Sequence, residues 1–385
     1  MNDVILREPG TPRRGAPKSE KPARRETKKS GIGAKIALSF FSLLVFLVVA
    51  VILLCNVLLN GPSKTARNLL VLSAKQASAT KWIPALFLDE KLVEEIEAAA
   101  NEVTHDFVSI DEIQPKNGEK EQTDEWADAI DGIRFLRISK PNFKAYLLMI
   151  RDPSRVFVGT GSDYKAGKSG GMRIFEIAEK YQATAVINGG EFSDPGGMGT
   201  GDLPMGITFS KGELVWNDGL TNRTFLGFTN DNRLVVSEGM TKQQAQDLGI
   251  RDGVCFQRGN SLITNDGSTV TMHYEEGNTG AAQRTVIGQR ADGVVLMLVT
   301  DGRTASSIGA THNDLIDIML EYGAVAAGKL DGGSSSLMYY RDYFDLYHLD
   351  VSTLDEYQKQ GLVNKYKAFT KPRRIPTYFV VGGAS

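Results

Sequence analysis

The sequence is poor in cysteine and histidine, and this scarcity argues against several kinds of site. It contains only two cysteines, Cys55 and Cys255, which lie far apart in the chain. They can form neither a disulfide framework nor a cysteine-based metal site, and Cys255 is expected to be a small buried hydrophobic residue. No two of the four histidines stand at metal-ligand spacing, so a zinc hydrolase has little support. The sequence predicts no cofactor; calcium at acidic loops is compatible with it but not required.

A serine-nucleophile motif is also missing. No Gly-x-Ser-x-Gly segment followed by a histidine occurs, so the hydroxyls of Ser334, Ser335 and Ser336 are favoured as hydrogen-bond donors over nucleophiles. What the chain does have is 385 residues, 42% of them apolar, and 40 glycines. This composition suits one large domain with appendages and excludes a disordered or fibrous protein.

One long hydrophobic run stands near the N-terminus. Residues 36–59 are almost uninterruptedly apolar, which is long enough for a transmembrane helix. A cleavable signal peptide is the competing interpretation, but the preceding segment is long and the apolar core exceeds the usual signal length. We therefore expect an uncleaved single-pass anchor in the cell membrane.

Charge predicts how this anchor is oriented. Residues 1–35 hold ten Lys or Arg and four Asp or Glu, a net charge of +6, whereas the whole chain carries −2. The positive-inside rule then places the basic tail in the cytoplasm and the C-terminal domain outside. The remainder carries −8, so nonspecific nucleic-acid binding is not expected. The membrane, through residues 36–59, is an expected partner; no protein partner is indicated.

The rest of the chain divides into a stalk and a main domain. Residues 60–130 have helical composition followed by a polar acidic stretch, which predicts a helical stalk and linker. Residues 131–385 alternate short apolar runs with turn signals and two helices, Arg173–Tyr181 and Asn313–Tyr322. This pattern predicts a mixed α/β (α+β) domain with a central mixed sheet flanked by helices.

Two glycine motifs are the most informative features of the main domain. Asn188-Gly189-Gly190-Glu191-Phe192 and Asp331-Gly332-Gly333-Ser334-Ser335-Ser336 each follow an apolar run that is typical of a buried strand. Polar groups beyond strand ends commonly form sites in α/β proteins. Asn-Gly and Asp-Gly are also common hairpin turns, so either motif alone is ambiguous.

Two further segments favour a functional site over simple hairpin turns. Arg284-Thr285-Val286-Ile287-Gly288 precedes a strand over residues 294–300, and Asp301-Gly302-Arg303 follows that strand. Acids, arginines and glycines at several strand ends favour one site over unrelated turns. His312 adjoins the predicted helix, where a cap or a surface position is favoured over ligand contact.

Together these segments resemble the phosphodiester glycosidase family. Its domain also occurs in the mammalian enzyme that uncovers mannose 6-phosphate, and its bacterial members are often labelled exopolysaccharide biosynthesis proteins. The resemblance covers roughly residues 130–385 in consistent order. At Glu191 the family usually has an aromatic or small residue, and at Ser334 often a glycine.

The resemblance implies hydrolysis of a sugar 1-phosphodiester, such as an N-acetylglucosamine 1-phosphodiester. The leaving phosphate monoester has a second pKa of about 6 and needs little protonation, so cations that hold it matter more than a general acid. A carboxylate must stabilise the oxocarbenium-like transition state or activate water. Asp301 and Asp331 are the first candidate pair and Glu191 the third. The predicted substrate- and phosphate-binding residues are Asn188, Gly189, Gly190, Arg284, Arg303, Gly332, Gly333, Ser334 and Ser335.

Each of these roles has a structural alternative. Either arginine could simply pair with a nearby acid, and each acid could cap its own turn. The favoured function is a membrane-anchored, outward-facing hydrolase acting on a sugar-phosphate or polysaccharide substrate of the cell envelope. The alternative is a noncatalytic protein that binds glycan or supports polysaccharide assembly. A peptidoglycan or peptide hydrolase ranks last, since it needs a nucleophile or metal constellation that the sequence does not offer.

Overall fold

The computed structural model describes residues 32–75, 80–100, 124–197, 199–265, 269–275, 280–302, 307–366 and 371–383. Most of the basic tail, most of the predicted linker and Arg303 lie outside these residues. By its internal contacts the chain divides into two units, Met1–Leu54 and Cys55–Ser385. The predicted boundaries at residues 35, 59 and 130 remain predictions.

The described residues form seven α-helices and sixteen strands. The helices are α1 (Ile32–Asn60), α2 (Lys64–Lys75), α3 (Glu90–Ala100), α4 (Ile174–Lys180), α5 (Lys242–Asp247), α6 (His312–Glu321) and α7 (Tyr343–Leu346). The first eight strands are β1 (Ile133–Lys140), β2 (Phe143–Ile150), β3 (Val156–Thr160), β4 (Ala185–Asn188), β5 (Ile207–Ser210), β6 (Glu213–Asn217), β7 (Arg223–Thr229) and β8 (Leu234–Glu238). The others are β9 (Ile250–Gln257), β10 (Ser261–Asn265), β11 (Val270–Met272), β12 (Thr285–Arg290), β13 (Val295–Thr300), β14 (Ala324–Lys329), β15 (Met338–Tyr340) and β16 (Thr377–Val381).

Helix α1 is the long apolar segment that the sequence predicts. Ile36–Asn60 is long and apolar enough to cross a membrane by length and composition, and its side chains are largely exposed. Helices α2 and α3 follow it, where the sequence predicts helical segments. They share a small apolar cluster to which Val71, Val93 and Ile96 contribute.

The main domain mixes helices and strands in the α+β manner, as predicted, but its sheets differ from the expectation of one central mixed sheet. Three sheets form, in the orders β1-β2-β13-β12-β14-β10-β11, β15-β4-β16-β3 and β6-β5-β9-β7-β8. All pairs between these strands are antiparallel. The mixed sheet was therefore wrongly predicted, because the partners that set strand direction are distant in sequence.

The three sheets share one apolar core. Fully buried residues of the seven-, four- and five-stranded sheets, such as Val299, Ile187 and Phe228, belong to the same cluster. Helix α6 packs on the other face of the seven-stranded sheet, and α4 on the other face of the four-stranded sheet. The helices thus cover outer faces, and the sheets face one another.

A buried acid joins two of these sheets. Asp252 in β9 is 1% exposed, and its Oδ1 accepts the backbone N–H groups of Val158 and Lys211, each at 2.8 Å. It also pairs with Arg251. Burial raises the pKa of Asp252, and these donors and the guanidinium oppose the rise. Such charge-assisted bonds are among the stronger hydrogen bonds in proteins, so Asp252 fixes β3 against the five-stranded sheet.

Helix α6 begins and ends through local signals. Thr311 caps it: the Thr311 hydroxyl accepts the backbone N–H of Asp314, whose carboxylate accepts the backbone N–H of Thr311. This reciprocal pair satisfies donors that a helix start leaves open. At the other end Gly323 has φ +80°, a left-handed conformation that favours glycine. The helix therefore starts and stops one residue before the predicted bounds.

Candidate functional site

The two glycine motifs meet through Asn188. Its side chain is fully buried, and Nδ2 donates to the carbonyl oxygen of Asp331 at 2.7 Å. Its Oδ1 accepts the Thr285 hydroxyl at 2.7 Å and the backbone N–H of Leu337 at 3.0 Å. Asn188 therefore holds the ends of β4, β12 and β14 together. Its predicted contact with substrate stays a prediction, and the structure gives it a positioning role.

The glycines of both motifs donate their N–H groups to protein acceptors. Gly189 and Gly190 donate to the carbonyl and the hydroxyl of Thr377, at 2.9 and 3.2 Å. A Cβ on Gly190 would lie 2.2 Å from the carbonyl oxygen of Cys255, so only glycine fits there. Gly332 donates to Asp331 Oδ1 at 2.8 Å and Gly333 to the Gln283 carbonyl at 2.9 Å. Binding a phosphate through these groups would require such bonds to open.

Asp331 has the most strongly shifted pKa of the three predicted catalytic acids. It is partly exposed, accepts the N–H of Gly332 and hydrogen-bonds with the Ser335 side chain. Burial raises its pKa to about 6, although the Ser335 bond and the charge of Arg373 lower it. The nearby Glu191 carboxylate raises it further. A carboxyl whose pKa lies near neutral can change its protonation state under physiological conditions.

Glu191, whose charge acts on Asp331, has its own cation. It forms an ion pair with Arg223, and its Oε1 accepts Gln257 Nε2 at 3.3 Å. Burial raises the pKa of Glu191, while Arg223 and Gln257 oppose that rise. Arg223 Nε is buried and has no hydrogen-bond partner among the described residues. The pair therefore retains a donor that a ligand could use.

A second arginine, Arg373, lies at the serines of the Asp331 motif. Its Nη1 donates to the hydroxyls of Ser334 and Ser335, at 3.3 and 3.1 Å. Its Nη2 pairs with Asp194, and its guanidinium lies 5.2 Å from the centre of the Phe192 ring. Arg373 thus links the loop after β4 to the loop after β14.

Asp301 has different surroundings from Asp331. It is 4% exposed, and its carboxylate accepts the Tyr146 hydroxyl at 2.9 Å and the backbone N–H of Lys365 at 3.2 Å. Burial raises the pKa of Asp301, and those two donors and the lysine charges of Lys365 and Lys144 lower it. The charges that act on Asp331 come instead from Arg373 and Glu191. Of the predicted acids, Glu191 is thus the one whose charge raises the pKa of Asp331, and the pairing of Asp301 with Asp331 stays a prediction.

Arg284 lies near Gly332 of the Asp331 loop. It is 9% exposed; Nη2 donates to the carbonyl of Gly280 at 2.6 Å and Nε to that of Ala310 at 3.5 Å. A Cβ on Gly332 would lie 3.9 Å from its guanidinium. Its predicted role in phosphate binding stays a prediction. Arg303, the other predicted cation, lies outside the described residues.

Next to Arg284, a buried lysine and histidine carry shifted pKa values. Burial, followed by the charge of Arg284, lowers the pKa of Lys329 to about 7. Burial and then Lys329 lower the pKa of His312 to about 2. His312 is 2% exposed and its Nε2 donates to the His273 carbonyl at 2.8 Å. His312 is therefore buried and Thr311 is the helix cap, so the expected cap or surface position was wrong.

No metal-binding cluster of three or more His, Cys, Asp or Glu side chains occurs among the residues that the structure describes. Cys255 is buried, and burial raises the pKa of its thiol to about 12, as expected of a small hydrophobic residue. The need for a cofactor remains untested.

Comparison with known proteins now adds to this geometry. Residues 181–382, slightly more than half of the chain, match the sequence pattern of a family described as phosphodiester glycosidase. The chain belongs to this phosphodiester glycosidase family. The matched region contains Glu191, Arg223, Asp331 and Arg373, although the match itself assigns no role to any of them.

The chain is similar to a solved structure and, over a short stretch, to a bacterial protein sequence. The fold is similar to that of the zebrafish N-acetylglucosamine-1-phosphodiester alpha-N-acetylglucosaminidase catalytic domain, a structure auto-inhibited by its pro-peptide. The TM-score is 0.52 at 16% identity, over 73% of this chain and 88% of that one. A second relative is an uncharacterized SPbeta prophage-derived protein of Bacillus subtilis, 43% identical over 53 residues, which are 14% of this chain and 8% of that protein. The fold is thus shared with the zebrafish structure, and the substrate is not carried over by similarity.

Sequence reasoning missed three residues of this site: Arg223, Gln257 and Arg373. Arg223 and Gln257 are directly paired in the register of β7 and β9, which no local motif marks. The Lys371-Pro372-Arg373-Arg374 segment before β16 does carry a signal. Adjacent arginines at the start of a strand could have been proposed as phosphate ligands.

Proposed function

We propose that this protein is a hydrolase that cleaves a sugar 1-phosphodiester, with Asp331 and Glu191 as its carboxylates and Arg373 and Arg223 beside the phosphate. The observation that carries this proposal is the Asp331 carboxyl, whose pKa is about 6 and on which the charges of Arg373 and Glu191 act, in a motif whose serine hydroxyls bind the Arg373 guanidinium. Family membership supports the reaction class. Sugar identity follows only by analogy with an N-acetylglucosamine 1-phosphodiester.

In the proposed reaction the bond between the anomeric carbon and the phosphate oxygen breaks. The phosphate monoester leaves with the bonding electron pair, and because its second pKa is about 6 it needs little protonation. Arg373, which already binds two serine hydroxyls through one nitrogen, is suited to bind phosphate oxygens there. The orphaned Nε of Arg223 offers a further donor.

Water supplies the new oxygen on the sugar. Above pH 6 the Asp331 carboxylate is ionised, so it can take a proton from that water or stabilise the positive charge that develops on the sugar ring. Burial raises the pKa of Asp331, and the charge of Glu191, which is held by Arg223 and Gln257, adds to that rise. Fixed charges act strongly because a partly dehydrated site screens them poorly.

We further propose that α1 anchors the protein in the cell membrane, with the basic tail cytoplasmic and the catalytic domain outside. The length and composition of Ile36–Asn60 and the charge of residues 1–35 support this topology. A sugar-phosphate polymer of the cell envelope or an exported polysaccharide would then be the substrate.

A noncatalytic glycan-binding protein of the cell envelope is the alternative. One observation favours it: both arginines already pair with acids, Arg223 with Glu191 and Arg373 with Asp194. If these pairs do not open for a phosphate, the site binds sugars without cleaving them.

The test uses the full chain in detergent and an α-linked N-acetylglucosamine 1-phosphodiester of a small alcohol, in water enriched in oxygen-18. We expect free sugar and phosphate monoester, with the label in the sugar. An N-acetylglucosamine glycoside that lacks phosphate is the matched control and should remain intact. Label in the phosphate would instead establish cleavage of the phosphorus–oxygen bond. No products from this or other sugar phosphodiesters, with glycan binding retained, would favour the alternative.

A further inference from the structure

An open groove of about 600 Å³ lies between α4 and β15, and its lining suits a sugar. Two partly exposed aromatic rings, Phe175 and Tyr339, line it together with the exposed amides of Gln182 and Gln360. Aromatic faces pack against apolar surfaces, and amides both donate and accept hydrogen bonds. A pyranose offers both chemistries, because its C–H groups form an apolar face and its rim carries hydroxyls.

The charge of the groove argues for a neutral occupant. Among the groove-lining residues, Glu179 contributes one carboxylate and Arg341 one guanidinium. Arg341 is fixed in place, since its Nε and Nη2 donate to the carbonyl of Ala183 at 3.1 and 2.6 Å. Equal opposite charges do not attract a polyanion, so the groove fits the sugar part of a substrate better than its phosphate.

A row of aromatic rings leads from this groove to the candidate site. Phe175 lies 6.5 Å from Tyr339 and is stacked on Tyr357, with ring centroids 6.1 Å apart and planes 17° from parallel. Tyr357 contacts Tyr366 at 6.3 Å. The Tyr366 hydroxyl donates to the Ser334 carbonyl at 3.1 Å, and Ser334 is bound by Arg373. All four rings are partly buried at the edge of one apolar cluster.

We infer that the groove and this aromatic row form a binding track for the glycan chain that continues from a sugar phosphodiester held at Asp331 and Arg373. The inference rests on the proposed function and extends it, because it makes a polymer the substrate. The continuity of the row with the Ser334 loop selects this occupant: a ligand centred on the site reaches the groove along the rings.

The track predicts that affinity depends on chain length. The probes are an α-linked N-acetylglucosamine 1-phosphodiester and the same compound extended by two or four neutral N-acetylglucosamine units. Full-length protein in detergent should show a KM about tenfold lower for the longest compound, a gain worth about 1.4 kcal/mol. Phe175→Ala should abolish that gain and change kcat/KM on the short compound by less than about twofold.

A second variant guards against misfolding of Phe175→Ala. Gln182 and Gln360 are exposed, so the double change Gln182→Ala, Gln360→Ala should leave folding intact and reduce the length dependence about threefold. Lys165→Ala, a change in another exposed residue, is the matched control and should leave it unaltered.

Binding of the neutral N-acetylglucosamine oligomers alone separates this inference from the proposed function. Length-dependent binding that Phe175→Ala removes, without any hydrolysis, would support the track and overturn the hydrolase. Hydrolysis of the short compound with no length dependence in KM or binding would overturn the track and leave the hydrolase standing. An equal loss on short and long compounds in the glutamine double variant would also contradict the track.

Discussion

Two strand ends of the seven-stranded sheet carry an aspartate followed by glycine, yet they hold it differently. After β13, Asp301 is almost fully buried and accepts bonds from Tyr146 and Lys365. After β14, Asp331 is partly exposed, and its pKa is lowered by the Arg373 guanidinium and raised by the Glu191 carboxylate. The same local sequence thus yields one buried acid that is held by neighbouring donors and one partly exposed acid whose pKa is about 6. What differs is the set of distant segments that each strand end meets.

Replacing each aspartate by asparagine should show most clearly that the two residues have different roles. Asp331→Asn removes the ionisable group, so kcat/KM should fall by roughly 10³-fold. Asp301→Asn keeps an acceptor for the Lys365 N–H, and its Nδ2 can donate to the Tyr146 hydroxyl, so kcat/KM should fall by less than about tenfold. Steady-state hydrolysis of the N-acetylglucosamine 1-phosphodiester measures both, with thermal melts as the folding control. Equal losses in two folded variants would contradict the assignment.

Neighbouring arginines offer a second contrast. Arg373 contacts Ser334, Ser335 and Asp194, whereas Arg374 pairs with Glu176 and donates to the Gly171 carbonyl. Arg373→Ala should lower kcat/KM by roughly 10²-fold through loss of phosphate binding. The control Arg374→Ala should affect mainly the melting temperature.

The side-chain geometry of Arg373 gives a finer test. Arg373→Lys keeps the charge but not the forked donor geometry, so it should recover only part of the lost rate. Full recovery would mean that charge alone is needed there. A greater loss from Arg374→Ala than from Arg373→Ala would reverse the proposed roles.

Replacing Lys329, two residues before Asp331, is expected to give the smallest effect of these substitutions. It should change the thermal stability of the protein and not its activity. The pKa of Lys329 in the folded protein is lowered from 10.5 to about 7, so the unfolded chain holds the proton more tightly between pH 7 and 10.5. The cost of burying the cation is therefore complete below pH 7 and fades as pH rises through this window. Lys329→Met should raise Tm by roughly 2–4 °C at pH 6 and by less at pH 9.

Thermal melts of both proteins at the two pH values check this expectation. Lys329→Arg, which keeps a charge at both pH values, is the control and should show no such gain. A lower Tm of Lys329→Met at pH 6 would mean that attraction to Glu275 and Glu238 outweighs the cost of burial.

Local signals in the sequence predicted several of the elements, although none of the strands of the five-stranded sheet was predicted individually. The apolar runs over residues 183–187 and 324–330 became β4 and β14, and the helix before Gly323 was displaced by one residue. Hydrophobic pattern and capping residues act within a few positions of the chain, which is why such elements can be read directly. The single apolar N-terminal helix was predicted for the same reason.

Sheet arrangement and the site's cations were not predictable in this way. Strand β4 pairs with β15 and β16, which lie far along the chain, and nothing local sets their direction. Arg223 and Arg373 reach the site only because β7 and the segment before β16 fold against the two glycine motifs. The motifs indicated where the candidate site lies, and tertiary contacts decided that Asp331 is the acid whose pKa is raised to about 6.

The pH dependence of kcat/KM for the wild-type protein tests the central claim most directly. If the ionised Asp331 carboxylate carries the reaction, kcat/KM should fall tenfold per pH unit below an apparent pKa of about 6. Arg373→Ala should move the pH at which kcat/KM begins to fall to a higher value, because the guanidinium lowers the pKa of Asp331. A rate that is flat through pH 6, or that falls above pH 6 instead, would contradict the account.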